Sequence, residues 1–300
     1  MTTFEGLGVA LATPFTSTGD VDLHAFKKLV KHVVHGGVDF LVVLGSTGEA
    51  ATLSESERDD LIQACRDVSG GKPVVVGAGS SSTAQAARWS KRAQDLGADA
   101  VLIVTPPYNK PTPTGLVAHF QTIADAAKGL PIIVYNVPGR TGQNLTPTTL
   151  ALLWENPQVV AVKESSANLG QIVEIARTLP PGKILLAGDD NLALPSIAAG
   201  AKGLVSVLGN LLPKETKALV TAALAGDLEA AQSRQARLIP LIDALFMESN
   251  PIPLKAGLKF MRLGEDVLRL PLTSPEATTS KRLVDALCLA AEGALPGISL

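Results

Sequence analysis

Val159-Val160-Ala161-Val162, followed at once by Lys163, Glu164, Ser165 and Ser166, is the stretch on which the fold of this chain turns. The four apolar residues run without interruption. A continuous run, unlike an alternating one, marks a parallel strand covered on both faces. Lys163 closes the run, which places an amine at the carboxyl end of a buried strand. Desolvation at such a place pushes a lysine toward its neutral form. A neutral amine is a nucleophile whose natural partner is a ketone, with which it forms a Schiff base. A strand-end lysine whose ammonium reaches solvent is the alternative, and this stretch alone leaves it open.

Outward from this run the pattern repeats. Residues 7–12, 40–44, 74–76, 100–104, 132–135, 184–187 and 203–207 are further short apolar runs, each followed by turn residues and a helical pattern. Helix starts are well marked. Ser54 with Glu57, Ser82 with Gln85 and Asn168 with Gln171 have capping-box spacing. Thr112-Pro113 and Thr146-Pro147 place a cap residue before a first-turn proline. Gly36-Gly37, Gly97, Gly129 and Gly200 sit where helices should stop. Eight strand–helix units in one chain predict an α/β fold, a closed (β/α)8 TIM barrel over residues 1–226. A doubly wound sheet is the competing architecture, but it usually needs a strand-order reversal and a longer crossover, and neither is visible. From Asp227 onward the pattern is helical only. Residues 228–247 and 276–294 read as helices, with a proline-broken link at Asn250-Pro251-Ile252-Pro253. Residues 227–300 are thus expected to form a C-terminal helical appendage on the barrel, with a possible oligomer contact.

Bulk properties exclude several classes. Apolar residues make up 46% of the 300, enough for a large core. No apolar run approaches the roughly 20 residues needed to span a bilayer, and Met1-Thr2-Thr3-Phe4-Glu5 lacks the regions of a signal peptide. A net charge of −2 attracts neither nucleic acid nor an anionic membrane. Cys65 and Cys288 lie in amphipathic stretches and read as core thiols. His24, His32, His35 and His119 show no metal-ligand spacing and read as helix residues, so no metal is expected. A soluble cytoplasmic protein is the expectation.

In a barrel of this kind the reactive residues project from the carboxyl ends of the strands. Those positions carry Gly45-Ser46-Thr47-Gly48-Glu49, Thr105-Pro106-Pro107-Tyr108-Asn109, Tyr135-Asn136-Val137-Pro138-Gly139-Arg140-Thr141-Gly142, Lys163-Glu164 and Gly188-Asp189-Asp190. The chain has two tyrosines, Tyr108 and Tyr135, and both fall on this rim. That favours a shared proton-handling role over ordinary packing. The turn at Gly45 reads as a nest of backbone N–H groups able to hold an anion, with Ser46 and Thr47 adding hydroxyls. Glu49 reads as a tie for that loop. An arginine fork at Arg140 fits a carboxylate bidentately, although a surface arginine is the usual alternative. Asp189-Asp190 lack a third metal ligand nearby and read as a cap for the next helix. The glycines at 200–203 and Gly209-Asn210 give a weak signal for a phosphate site.

Together these pieces resemble the dihydrodipicolinate synthase / N-acetylneuraminate lyase family of pyruvate-dependent class I aldolases. The likeness runs from Ala12-Thr13-Pro14-Phe15 to Asn250-Pro251-Ile252-Pro253-Leu254-Lys255, and its specific stretches are Gly45-Ser46-Thr47-Gly48-Glu49, Tyr135 to Gly142 and Val162-Lys163-Glu164. The resemblance implies a Schiff base between Lys163 and pyruvate, with no metal or organic cofactor, because the imine itself is the electron sink. It implies that Tyr135 moves protons and that Ser46 and Tyr108 complete a relay to solvent, Tyr108 reaching into a neighbouring subunit's site. Thr47 and the Ser46 backbone would hold the pyruvate carboxylate, and Gly188 and Val205 would line the pocket. A homodimer or homotetramer is implied as well.

Arg140 points to the synthase branch, where the arginine receives the carboxylate of L-aspartate 4-semialdehyde; the sialic acid lyases lack it. Ser46 pulls the other way, since the synthases usually carry threonine there. Another pyruvate aldolase of the family, acting on a sialic acid, a hydroxy-oxoglutarate or a deoxy sugar acid, therefore remains the rival. The resemblance also bears on regulation. At the positions where feedback-inhibited relatives bind lysine, this chain has Glu55, Arg58, Ser81, Gln85 and Pro107. Inhibition by L-lysine is expected to be weak or absent.

Overall fold

A computed structural model of the chain describes residues 4–291. Residues 1–3, used above in reading the amino terminus, and residues 292–300, which include the end of the last expected helix and of the C-terminal region, lie outside the described residues.

Eight parallel strands close on themselves in chain order. They are β1 (Gly6–Ala10), β2 (Phe40–Val43), β3 (Val74–Gly77), β4 (Ala100–Val104), β5 (Ile132–Asn136), β6 (Val159–Glu164), β7 (Ile184–Ala187) and β8 (Gly203–Ser206). β1 pairs with both β2 and β8, so the sheet has no edge and the doubly wound alternative is excluded. The helices are α1 (Leu23–His35), α2 (Glu55–Val68), α3 (Thr83–Asp95), α4 (Pro113–Ala126), α5 (Pro138–Thr141), α6 (Pro147–Leu153), α7 (Leu169–Thr178), α8 (Ala193–Ala198), α9 (Pro213–Leu224), α10 (Leu228–Leu245), α11 (Ile252–Phe260) and α12 (Ala277–Ala290).

Local chemistry explains the boundaries. Ser54 and Glu57 form a reciprocal capping box at α2, while Ser82, Asn168, Thr112 and Thr146 each accept a backbone N–H at the start of α3, α7, α4 and α6. Each such cap satisfies one of the donors that a helix start leaves without an internal partner. Gly37, Gly97, Gly129 and Gly200 all have positive φ, as chain reversal after a helix requires.

Strand residues divide between two cores. Val42, Val75, Leu102, Ile133, Tyr135, Ala161, Leu186 and Val205 belong to the barrel interior. Their neighbours in sequence, among them Val43, Val76, Ile103, Val134 and Val162, pack outward under the helices. This is why the strands are apolar on both faces up to their carboxyl ends. Between β5 and β6 the register slips: Ile132 pairs with Val159, but Ile133 pairs with Ala161. The extra residue, Val160, brings Lys163 opposite Tyr135; an unbroken register would have put Val162 there. A bulge that re-aims a side chain is a common device beside a reactive site.

One reading of the carboxyl-terminal part needs correction. Asn250-Pro251-Ile252-Pro253 is no mere broken link, because α11 begins at Ile252. Proline is tolerated in a first helical turn, whose N–H groups have no internal partner in any case. The short helix α5 within the Arg140 loop was also not expected from the sequence.

Candidate active site

Lys163 sits at the inward side of β6, only 4% exposed. Its Nζ lies 4.3 Å from the centroid of the Tyr135 ring, and among the described residues it makes no ion pair within 4.0 Å. Room for its chain comes from Gly188. A Cβ at that position would stand 2.8 Å from Lys163 Cε and 1.8 Å from Ser165 Oγ. Ser165 Oγ is itself buried and has no hydrogen-bond partner. Val205 is buried in the same barrel interior as Tyr135. Lys163, Tyr135 and Gly188 therefore lie together, and Val205 shares the barrel interior with Tyr135.

The loop after β2 turns tightly. Ser46–Gly48 form one turn of 3-10 helix, and Glu49 takes a left-handed backbone with φ 50°. Thr47 is buried, whereas Ser46 is exposed. Thr13 Oγ1 donates to the Gly48 carbonyl at 2.7 Å. Two ties come from much later in the chain. Asn250 Nδ2 donates to Thr47 Oγ1 at 3.0 Å, and the buried Lys255 ammonium is ion-paired with the buried Glu49 carboxylate. Lys255 Nζ also donates to the Val267 carbonyl at 2.7 Å and stands 3.9 Å over the Phe15 ring. Burial pushes the Lys255 amine down to about 8, with Glu49 acting against that fall. The Arg269 backbone N–H donates to Glu49 Oε2 at 3.2 Å, and the Arg269 guanidinium pairs with Glu57. Glu49 is thus the structural tie its position suggested.

Arg140 is exposed, at the end of α5, and its Nη2 donates to the Asn250 carbonyl at 2.9 Å. Tyr108 differs from expectation within one chain. Its backbone is left-handed, with φ 73°, and its side chain is 89% exposed. The structure does not bring Tyr108 to Tyr135 or Ser46 of the same chain.

The carboxylates near Lys163 are engaged mostly by neutral donors. Glu164, 1% exposed, accepts from Asn136 Nδ2 at 3.0 Å, the Ser166 N–H at 2.7 Å and Gln171 Nε2 at 3.3 Å. Asp190 does not cap the following helix, and neither does Asp189, contrary to the sequence reading. Asp190 instead accepts from Ser206 Oγ at 2.5 Å and from the Val207 and Leu208 N–H groups at 2.9 and 3.2 Å, so it binds β7 to the β8 loop. Burial raises its carboxyl above the usual range. Burial also pushes Asp189 up to about 6; the charge of Lys163 pulls it down, while Asp190 and Glu164 add to the rise.

The phosphate reading fails on the same loop. Besides those two N–H groups, the Gly209 N–H is taken by Ser206 Oγ and the Asn210 N–H by the Val207 carbonyl. These amides close the barrel instead of facing a ligand. Among the described residues no cluster of three or more metal-ligating side chains occurs, and no helix is long and apolar enough to cross a membrane. Cys65 is buried and free, its thiol pushed up to about 12 by burial. The positions expected to bear on lysine binding are partly filled. Arg58 is buried, donates to the Ala50 and Gly77 carbonyls at 3.1 and 2.8 Å, and stacks 3.9 Å over Trp89. It and Glu55 line a cavity of about 160 Å³ between α2 and α3.

Sequence reasoning missed the part played by Asn250 and the side-chain setting of Asp189. No local pattern could reveal Asn250, because its partners lie 203 and 110 residues away.

Residues 3–289 match the model of the dihydrodipicolinate synthetase family. The 4-hydroxy-tetrahydrodipicolinate synthase of Methanospirillum hungatei is 43% identical over 288 residues, covering 95% of this chain and 98% of that relative. A chloride-inhibited dihydrodipicolinate synthase of Acinetobacter baumannii, solved in complex with pyruvate, superposes with a TM-score of 0.94 at 38% identity, covering 96% of this chain and 99% of that one. A synthase of Cyanidioschyzon merolae, solved with lysine bound, gives 0.93 at 39% identity, covering 96% and 98%.

Proposed function

The chain belongs to the dihydrodipicolinate synthetase family, and from that membership we propose how it performs the 4-hydroxy-tetrahydrodipicolinate synthase activity of its relatives: by condensing pyruvate with L-aspartate 4-semialdehyde through a Schiff base on Lys163. It is a lyase-type enzyme of amino-acid biosynthesis. The observation that carries the mechanism is the setting of Lys163. It is buried, faces the Tyr135 ring, has no ion-pair partner among the described residues, and passes a glycine where any side chain would collide with it.

The proposed steps use these residues in turn. Lys163 Nζ adds to the keto carbon of pyruvate and water leaves, giving an imine. Loss of a methyl proton turns the imine into an enamine. The enamine carbon attacks the aldehyde carbon, and Tyr135 gives a proton to the developing alkoxide. The amino group of the semialdehyde then closes the ring on the former imine carbon and displaces Lys163. Thr47 and the Ser46 backbone hold the pyruvate carboxylate, Arg140 holds the second carboxylate, and Gly188 and Val205 shape the pocket. In this scheme Ser46 and Tyr108 carry the proton relay. The 89% exposure of Tyr108 fits a ring that completes the site of a second subunit in a homodimer or homotetramer. Residues 1–226 and 227–300 act together, because α11 and the turn before it hold the β2 loop. The setting is the cytoplasm, where both substrates would be free small molecules.

Borohydride added with pyruvate should fix a pyruvyl adduct on Lys163, and a coupled assay with both substrates should show turnover. An adduct on another residue, or none, would remove the mechanism.

A further inference from the structure

Two groups proposed to bind substrate carboxylates, the Thr47 hydroxyl and the Arg140 guanidinium, both meet one residue, Asn250. We propose that Asn250 is a positioning residue that fixes Thr47 as a hydrogen-bond donor toward the pyruvate carboxylate and ties that loop to the Arg140 clamp.

A threonine hydroxyl has one proton and two lone pairs. Against a carboxylate only the proton is useful, since a lone pair would face a negative charge. Asn250 Nδ2 donates to Thr47 Oγ1 at 3.0 Å and occupies a lone pair. The proton of Thr47 is then left for another acceptor. Thr47 is 2% exposed, so water has little access to settle its orientation instead.

The direction of the Asn250 amide is set by its surroundings. Asn250 is 5% exposed, and its Oδ1 is buried without a partner. Reversing the amide would strand a buried NH2 group with two donors and turn the Thr47 proton toward Asn250. A buried group without a partner carries the full desolvation cost. The observed arrangement leaves Oδ1 and one amide hydrogen unmet, and the reverse would leave both hydrogens of the NH2 group without an acceptor.

The backbone of the same residue serves the other clamp. Its carbonyl accepts from Arg140 Nη2 at 2.9 Å, which uses one of five guanidinium N–H donors and leaves a fork for a carboxylate. Nearby on α11, Lys255 holds Glu49 at the far side of the β2 loop. The loop is thus held at Thr47 and again at Glu49 by one short stretch of chain.

The inference rests on the reading of Thr47 as a ligand of pyruvate, and a double-mutant cycle separates the two. Asn250→Leu removes the donor at similar size, and Thr47→Val removes the hydroxyl. Each should raise the KM for pyruvate about 10-fold and slow borohydride trapping at low pyruvate, with kcat changed far less. The double variant should be no worse than the worse single one. Asn250→Asp, which can only accept from Thr47, should raise KM beyond Asn250→Leu; it also serves if the leucine variant folds poorly by circular dichroism. An unchanged pyruvate KM in Thr47→Val removes the underlying site reading. A raised KM in Thr47→Val with none in Asn250→Leu, or independent effects that multiply in the double variant, overturns the role of Asn250 alone.

Discussion

Gly188→Ala tests the geometry of the site without touching a reactive group. The added methyl would stand 2.8 Å from Lys163 Cε, 1.8 Å from Ser165 Oγ and 3.1 Å from the Glu164 carbonyl. Carbon atoms rest about 3.5–4.0 Å apart, so Lys163 must retreat by roughly 1 Å. Ser165 Oγ has no partner and can rotate away. Gly188 does not have positive φ, so the backbone itself accepts alanine. Overpacking of this kind costs about 1–3 kcal/mol in stability. A misplacement of about 1 Å at a reacting atom costs on the order of 100-fold in rate. Gly188→Ala should therefore remain folded but lose about two orders of magnitude in borohydride trapping rate and kcat. Adding Ser165→Ala removes the closest clash and should recover melting temperature, while the rate stays low because the lysine clash persists. A folded Gly188→Ala protein that traps pyruvate at the wild-type rate would refute the claim that this glycine exists to seat Lys163.

Lys163→Ala should abolish turnover and all borohydride-dependent incorporation of pyruvate, read by mass spectrometry. Arg140→Ala should leave that incorporation intact and reduce turnover with the semialdehyde by at least 100-fold, as loss of a bidentate charged contact predicts; unchanged turnover would remove the arginine clamp. Asp189→Asn should stabilise the protein at pH 8. The fold raises the Asp189 carboxyl from 3.8 to about 6, so ionisation is resisted in the folded state, stability falls as pH rises through that window, and the full cost, roughly 2–3 kcal/mol, applies above it. Thermal melts should show the gain shrinking at pH 5, and a gain independent of pH would contradict the assignment. L-lysine should inhibit weakly or not at all, since one of the positions expected to bear on its binding carries Arg58, a cation already stacked on Trp89; full inhibition below millimolar concentration would overturn this.

The barrel was legible because its evidence is local. Eight short, largely apolar runs, five side-chain caps and the glycine stops each act within a few residues, and physics at that range survives in sequence order. Lys163, Tyr135, Gly188 and Arg140 were legible because strand ends face one rim. What stayed hidden depends on distant encounters or on register. The slip at Val160 that sets Lys163 across from Tyr135 is a property of two strands together. Asp190 looked like a cap because Asp often caps, yet its carboxylate found Ser206 and two N–H groups 16 to 18 residues on. Asn250 lay in what read as a connector, and only the return of α11 to the β2 loop gives it partners.

In the proposed mechanism the two buried lysines have opposite duties. Lys255 is fully buried and wired to a carboxylate, a carbonyl and an aromatic face. An ammonium so engaged is held in place by three partners at once. Lys163 is almost as buried, yet it faces only the Tyr135 ring at close range. Carboxylates are near enough to have spoiled this. Glu164 is its neighbour in the chain, and Asp190 lies beyond the adjoining strand. Both have their oxygens committed, Glu164 to Asn136, Ser166 and Gln171, and Asp190 to Ser206, Val207 and Leu208. Those donors are neutral, so they satisfy the carboxylates without bringing in a second cation. Asp189 is the exception, a carboxyl that burial holds up at about 6 and that feels the charge of Lys163. In the proposed mechanism Lys163 is thus buried without an ion-pair partner among the described residues, while Glu164 and Asp190 are given other bonds. In that mechanism the amides and hydroxyls that engage Glu164 and Asp190 matter as much as the glycine that makes room for Lys163.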